Sequence, residues 1–273
     1  MIPLTVFYES IHMEIVTNKR ITFDEDDYLW KYLDLHKFLS FVLNKKLFFN
    51  RLDFLEDPLE GLPESTLSYM DKSENGDVEI KNLKSTEKRR KISENKRKAF
   101  MANKETEDSQ QTQFANCWYM GKKESFAMWN IYSNPDSVAI RYKPEELLDL
   151  VIPSAAGFNN NDFSQLIYGY VDYDDLWPFQ YNRSNSPNVK FASFRKDSSY
   201  KHEQEFRFVS VLNPKHKGKY DYFELKLDNI ETGSFMILAN PYMENWKFDN
   251  IIKFMDIFGC SKRVKQSVLK VKK

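Results

Sequence analysis

The stretch YKHEQEFRFV, residues 200–209, alternates charged and aromatic side chains over most of its length. Successive side chains of a β-strand point to opposite faces of the sheet. A strand over this stretch therefore places Glu203, Glu205 and Arg207 on one face and the two intervening phenylalanines on the other. We predict that the phenylalanines enter the core. The charged face meets either water or a cleft, and both alternatives stay open because exposed ion pairs contribute only about 1 kcal/mol or less.

The segments around this stretch mix helical and strand patterns. Apolar residues at i, i+3, i+4, i+7 and i+8 from Leu35 predict an amphipathic helix, with Asp34 as its N-cap. A helix is also predicted from Pro144, because proline suits the first helical position, and others at 123–132 and 251–259. Aromatic-rich or alternating runs predict strands at 29–32, 47–50, 114–120, 137–142, 166–173 and 234–242. Because helices and strands do not alternate regularly, we predict one α+β domain, residues 1–273, with a mixed or antiparallel sheet.

Residues 62–112 differ from the rest of the chain in composition. They are highly charged and poor in aliphatic residues, which predicts an insertion that is helical or partly disordered. The basic runs KRRK (88–91) and NKRK (95–98) are able to contact phosphates. Residues 81–104 are therefore an alternative binding arm for nucleic acid or protein. Equally dense acidic residues beside these runs favour a solvated helix instead.

The overall composition argues against several classes of protein. Forty Lys and Arg residues balance forty Asp and Glu residues, so no global charge attracts nucleic acid or a membrane. The two cysteines lack metal-ligand spacing, and no signal peptide or long apolar stretch is evident, which predicts a cytoplasmic protein. Phosphate-loop, dinucleotide-loop, zinc-ligand and nucleophilic-serine motifs are also missing, so no metal is expected.

Two further groups of residues are candidates for chemistry. The segment EDPLEG, residues 56–61, places three carboxylates around a proline, among them Asp57. Such a cluster either starts a turn, with Asp57 bonding to backbone amides, or contributes to a metal site. Trp129 and Tyr132 share one face of the helix predicted at 123–132. They either pack into the core or stack on a ligand.

Several segments together resemble the bacterial family called domain of unknown function 2971. The resemblance covers nearly the whole chain, in the family's order, and its E-x-E-x-R element, Glu203 to Arg207, is intact. The matching segments are LWKYLDLHKFLSFVLNKKLFFNRLDFLEDPLEG (29–61), CWYMGKKESFAMWNIYSNPDSVAIRY (117–142), SFRKDSSYKHEQEFRFV (193–209), SFMILANPY (234–242), IIKFMDIFG (251–259) and QSVLKV (266–271).

The early strand–helix–strand order and the late E-x-E are also similar to the layout of ADP-ribosyltransferases. This similarity implies NAD as a substrate, a macromolecular acceptor, and a role as a toxin or anti-phage defence effector. It implies that Glu205 stabilises the ribosyl cation and that Glu203 orients or deprotonates the acceptor. The substrate-binding residues that it implies are Lys31, Tyr32, Asp57, Trp129, Tyr132 and Arg207. The alternative function is a non-catalytic module that binds through residues 81–104.

Overall fold

The computed structural model describes residues 13–70, 85–176, 191–231 and 233–269. The helices are α1 (Leu35–Asn44), α2 (Ser85–Gln111), α3 (Phe126–Tyr132), α4 (Pro144–Ala156) and α5 (Asn245–Asp256), and residues 64–70 are also helical. The strands are β1 (Glu14–Thr17), β2 (Tyr28–Leu33), β3 (Lys46–Arg51), β4 (Gln113–Gly121), β5 (Val138–Tyr142), β6 (Phe163–Tyr170), β7 (Asp172–Asp174), β8 (Arg195–Asp197), β9 (Glu205–Leu212), β10 (Tyr222–Lys226), β11 (Met236–Ala239) and β12 (Val264–Gln266).

Ten of these strands form one mixed sheet, which confirms the predicted α+β class. Its main order is β1-β6-β9-β4-β2-β5-β11-β12, while β3 pairs with both β4 and β10. The pairs β1–β6 and β11–β12 are parallel and the remaining pairs of this sheet are antiparallel. Strands β7 and β8 form a separate parallel pair. Within the described ranges, no helix is both long and apolar enough to cross a membrane.

The sheet forks along one edge of β4. Near the start of β4, Phe114 and Ala115 pair with β3, whereas residues 119–121 pair with β2. The opposite edge of β4 pairs continuously with β9. Residues 116–118 therefore have no strand partner on the forked edge, and side chains take over part of its hydrogen bonding. Asn116 donates to the Phe48 carbonyl at 2.7 Å, and Lys31 donates to the Cys117 carbonyl at 2.9 Å.

The aromatic face of β9 lies in the main hydrophobic core, as predicted. Phe206 and Phe208 are fully buried and pack among residues of α1, α4 and α5. Helix α1 begins where the sequence predicts, because Asp34 accepts a hydrogen bond from the Lys37 amide at 2.8 Å. The helix predicted at 251–259 instead spans residues 245–256. Its first turn alternates polar residues with Trp246 and Phe248, which obscured its start in the sequence.

The predicted strand at 200–209 is wrong in its first half. Residues 198–203 form a 3-10 helix, and β9 begins only at Glu205. Between them Gln204 has a left-handed backbone, with φ 41° and ψ 53°. Glu203 therefore precedes the strand and does not belong to its charged face. That face is also not a wet surface, because Glu205 and Arg207 are both buried.

The charged segment between 62 and 112 is mostly helical where it is described. Residues 64–70 and helix α2 account for most of it, while residues 71–84 lie outside the described ranges. The part of the predicted binding arm that falls at 81–84 is thus not described. Of the described basic side chains in the arm, Arg89, Arg90, Lys96, Arg97, Lys98 and Lys104 are exposed.

Candidate functional site

A cavity of about 610 Å³ lies at the fork between β2, β3 and β4. It is within the usual size range of small-molecule sites in proteins. Alternate residues of β4 and β9 line it, because paired residues of antiparallel strands share a face. The β4 and β9 residues on this face are Ala115, Cys117, Tyr119, Glu205 and Arg207. The other carboxylates of its lining are Glu56, Asp57, Glu60, Glu203 and Glu224.

Glu205 is held by two cations. It accepts hydrogen bonds from Lys196 Nζ at 2.8 Å and from Arg207 Nε at 2.5 Å, and Arg207 Nη2 lies 3.0 Å from its other oxygen. Only 5% of Glu205 is exposed. Burial raises the pKa of this carboxyl, but the charges of Arg207 and Lys196 outweigh burial and hold the pKa well below its usual range. Glu205 is therefore a fixed anion at neutral pH.

Glu203 reaches the same lysine from the 3-10 turn. Its Oε2 lies 2.5 Å from Lys196 Nζ, and its Oε1 accepts a hydrogen bond from the Tyr132 hydroxyl at 2.5 Å. Burial and the hydrogen bond and charge of Glu205 raise the pKa of Glu203 from 4.5 to about 7. The two glutamates thus differ in protonation near neutral pH, which is the arrangement that acid–base catalysis requires of a carboxyl pair.

Glu60 and Arg207 complete the buried charge network. Arg207 is fully buried and donates to Glu60, to Glu205 and, at 2.9 Å, to the Ser193 carbonyl. Glu60 also lies 4.0 Å from Lys196 Nζ. Three carboxyls therefore face two cations. Burial raises the pKa of Glu60 as well as that of Glu203, so one proton held by these two carboxyls brings the network to neutrality. An isolated charge in this place would carry a large desolvation penalty.

Lys31 lies at the fork itself. Its Nζ donates to the Cys117 carbonyl and sits 5.5 Å from the centre of the Trp118 ring. Burial lowers the pKa of Lys31 to about 8. Burial also raises the pKa of the Cys117 thiol, which makes this cysteine a poor nucleophile.

The residues predicted from the sequence do not all reach the cavity. Lys31, Tyr32, Asp57, Tyr132, Glu203, Glu205 and Arg207 line it. Trp129 is not among the lining residues: it is 2% exposed, donates to Glu124 at 2.8 Å and packs edge-on against Tyr32. The guanidinium of Arg207 is committed to protein acceptors, so it positions the glutamates and is not a free cation for a pyrophosphate.

Three important residues were missed by the sequence analysis. Lys196 bridges the two glutamates, Glu60 binds Arg207, and the Tyr200 ring lies 4.6 Å below Lys196 Nζ. Glu60 was visible as part of EDPLEG, but only as part of a turn or of a metal site. Lys196 and Tyr200 carry no signal in a single sequence, because their roles depend on the 3-10 turn.

Comparison with known proteins finds no match: no protein-family model fits the sequence, and neither a curated protein nor a solved structure is significantly similar. A functional proposal rests on the geometry of the site.

Proposed function

We propose that this protein transfers ADP-ribose from NAD to an acceptor, as ADP-ribosyltransferases do, with the chemistry at Glu203 and Glu205. One observation carries the proposal. Two glutamates of an E-x-E sequence lie on a cavity large enough for a nucleotide, and their environments drive their pKa values in opposite directions. Carboxyl pairs divided in this way are used to cleave glycosidic bonds.

The proposed reaction breaks the bond between nicotinamide and ribose. Its electron pair leaves with nicotinamide, and positive charge develops on the ribose. The permanent anion of Glu205 stabilises that charge electrostatically. The acceptor then bonds to the ribose carbon and gives its proton to the ionised form of Glu203. A pKa of about 7 leaves both forms of Glu203 populated near neutral pH, so it can accept the proton and release it.

The lining of the cavity suits a nucleotide. Tyr119, Tyr200 and Phe48 offer aromatic surface for a base. Lys37 and Lys46 also line the cavity. Lys37 forms an ion pair with Asp34 and Lys46 forms one with Glu224, and both pairs are partly exposed to solvent. Exposed ion pairs are weak, so these lysines can turn toward a pyrophosphate at little cost. The wider resemblance to the domain of unknown function 2971 family, and a role as toxin or defence effector, belong to the same proposal.

Release of nicotinamide from NAD by the purified protein tests this function. We expect Glu203→Gln to lower the rate by about 10²- to 10⁴-fold, the range typical of a lost general acid or base. This variant preserves the neutral form that Glu203 already adopts, so it should fold. Glu205→Gln is a poorer test because it leaves Lys196 and Arg207 buried with less compensation.

The control is Glu244→Gln, an exposed carboxylate outside the cavity, which should release nicotinamide at the wild-type rate. Expression of the wild type, but not of Glu203→Gln, should slow cell growth. No nicotinamide release by the wild type, or equal rates for wild type and Glu203→Gln, would overturn the proposal.

A second function is favoured by the exposed basic residues of α2. If the protein binds nucleic acid through this arm, Arg89→Ala with Arg97→Ala should weaken binding, and affinity should fall steeply with salt. Nicotinamide release should be unchanged in that variant. A flat salt response would exclude binding through phosphates.

A further inference from the structure

We infer that Asp57 forms a subsite for the adenosine ribose of the nucleotide, where it accepts hydrogen bonds from the ribose hydroxyls. This inference rests on the proposed function for the identity of the ligand. Its starting point is an unpaired atom. Asp57 is 3% exposed, and its Oδ2 is buried without a hydrogen-bond partner. Seven side-chain atoms in the described residues share this condition, and Asp57 is the member of that set that lines the cavity.

The loop around Asp57 holds the carboxylate in place. Its other oxygen, Oδ1, accepts a hydrogen bond from the Leu59 amide at 2.9 Å, and its carbonyl accepts one from the Glu60 amide. Leu59 is buried in a small cluster with Leu62, and Glu60 is tied to Arg207. One carboxylate oxygen of Asp57 therefore accepts a hydrogen bond within the loop, and the other has no hydrogen-bond partner among the described residues.

A buried acceptor without a partner is costly, and a ligand that donates to it removes this cost. Oδ2 has almost no contact with bulk water, so a ligand hydroxyl reaches it only after a small shift of the Asp57 side chain, and the incoming donor then displaces little hydration. A buried unpaired carboxylate oxygen is thus a strong point of attachment for a hydroxyl or amino group.

The chemistry of the surroundings favours a sugar over a metal ion. In the described residues, Asp24, Asp26 and Asp27 form the group of metal-ligating side chains that is close enough to hold an ion, and Asp57 is not part of it. Aspartate and glutamate commonly bind the ribose diol of NAD, and an added 2′-phosphate is then rejected. In the proposed reaction the nicotinamide ribose occupies the Glu203–Glu205 pair, which leaves the adenosine ribose for Asp57.

Asp57, Tyr200, Glu203 and Glu205 line the same cavity. The charge of Asp57 contributes to the raised pKa of the Tyr200 hydroxyl, after the larger effect of burial. The same ring lies against Lys196, which bonds both glutamates. A ligand in this cavity is therefore able to contact Asp57 and the glutamate pair together.

Calorimetric titration with ADP-ribose and 2′-phospho-ADP-ribose tests the subsite without turnover. We expect the wild type to bind ADP-ribose at least ~10-fold more tightly, since the 2′-phosphate meets a like charge. Asp57→Asn should weaken ADP-ribose binding about 10- to 100-fold, the usual loss of a hydrogen bond to a charged group. The same substitution should reduce the preference for ADP-ribose over 2′-phospho-ADP-ribose to less than ~3-fold, because the repelling charge is gone.

The control is Glu244→Gln, an exposed carboxylate outside the cavity, which should bind both ligands like the wild type. If Asp57→Asn binds both ligands with the affinities of the wild type, the subsite is overturned. Nicotinamide release by the wild type would still support the proposed function in that case. Asp57-dependent binding of ADP-ribose without nicotinamide release supports the subsite and overturns the reaction. If the wild type binds neither ligand, the subsite fails, and nicotinamide release alone decides the proposed function.

Discussion

Glu203 and Glu205 contact the same lysine, yet their environments are opposite. Glu205 receives both Lys196 and Arg207, whereas Glu203 shares the lysine and otherwise receives the Tyr132 hydroxyl. Ionising both of two neighbouring carboxyls costs free energy, because their negative charges repel. The carboxyl whose charge is better stabilised by its surroundings therefore has the lower pKa. The cations supply that stabilisation to Glu205, and Glu203 keeps its proton until the pH approaches its pKa of about 7.

The free energy of unfolding should therefore depend on pH through Glu203. Its pKa is about 7 in the folded protein and 4.5 as a free side chain. Between these values the folded state holds a proton that the unfolded state lacks. Stability from this group is full below pH ~4.5 and is lost as pH rises toward 7, by up to about 1.4 kcal/mol per pH unit. Urea unfolding of wild type and Glu203→Gln from pH 5 to 8 measures it.

The difference in free energy of unfolding between the wild type and Glu203→Gln isolates the contribution of Glu203 from those of other titrating groups. Glutamine cannot titrate, so Glu203→Gln should gain stability relative to the wild type by on the order of 2 kcal/mol across this range. Asp34→Asn, at the partly exposed cap of α1, serves as a control whose difference from the wild type should stay constant above pH 5. A constant difference for Glu203→Gln as well would mean that Glu203 is ionised throughout.

At the scale of elements, the turn before β9 brings the two glutamates together. Alternate residues of a regular strand are separated by roughly 6.6 Å. The 3-10 turn and the left-handed Gln204 instead direct both carboxyls to one ammonium group. Gln204 is held by its own amide, which donates to the Lys201 carbonyl, and by its carbonyl, which accepts from the Met120 amide at 2.9 Å.

Substitutions of Gln204 should separate backbone strain from side-chain effects. Glycine adopts a positive φ without a steric penalty, so Gln204→Gly should leave the free energy of unfolding within ~1 kcal/mol of wild type. A β-branched residue resists this conformation, so Gln204→Val should lose about 1–2 kcal/mol. Both are measured by denaturant unfolding. Equal losses for glycine and valine would show that the side chain, not the backbone conformation, matters here.

The same turn explains what the sequence could predict. Buried phenylalanines at alternate positions identified β9 and its core face, because hydrophobic periodicity reports directly on burial. The pattern could not identify Gln204, since glutamine has no special preference for positive φ. The prediction therefore extended the strand too far and placed Glu203 by alternation. Its nearness to Glu205 was predicted correctly, but through the wrong local structure.

At the scale of the molecule, the site depends on the fork in the sheet. Residues from 30 to 224 meet where β2 and β3 separate from β4. Secondary-structure patterns identify the strands but do not tell which half of β4 each neighbour pairs with. The one local hint was a polar residue, Asn116, inside an otherwise apolar strand. It is buried and bonds to the Phe48 carbonyl, which compensates for the missing strand partner.

Helix α2 differs from the rest of the molecule in how it is supported. Its 27 residues extend over roughly 40 Å. The second half is attached beside the site, where Ser109 donates to the Gly61 carbonyl and Gln110 donates to the Glu60 carbonyl. The first half consists mainly of exposed charged residues. An exposed helix without an apolar face to pack has little stability beyond its own hydrogen bonds.

Hydrogen exchange should therefore divide α2 into two parts. We expect amides at 86–98 to exchange at least ~100-fold faster than those at 205–212 in β9, because local opening there costs little free energy. Residues 106–111 should be intermediate, since their side chains anchor the helix to the loop that carries Glu60. Helix α4, whose inner face is buried, is the matched control and should be protected like β9. Mass spectrometry of peptides after exchange measures all four regions. If the amides at 86–98 are protected as well as those of α4, another surface covers the basic arm. Repeating the exchange with nucleic acid would then test whether that surface is a phosphate backbone.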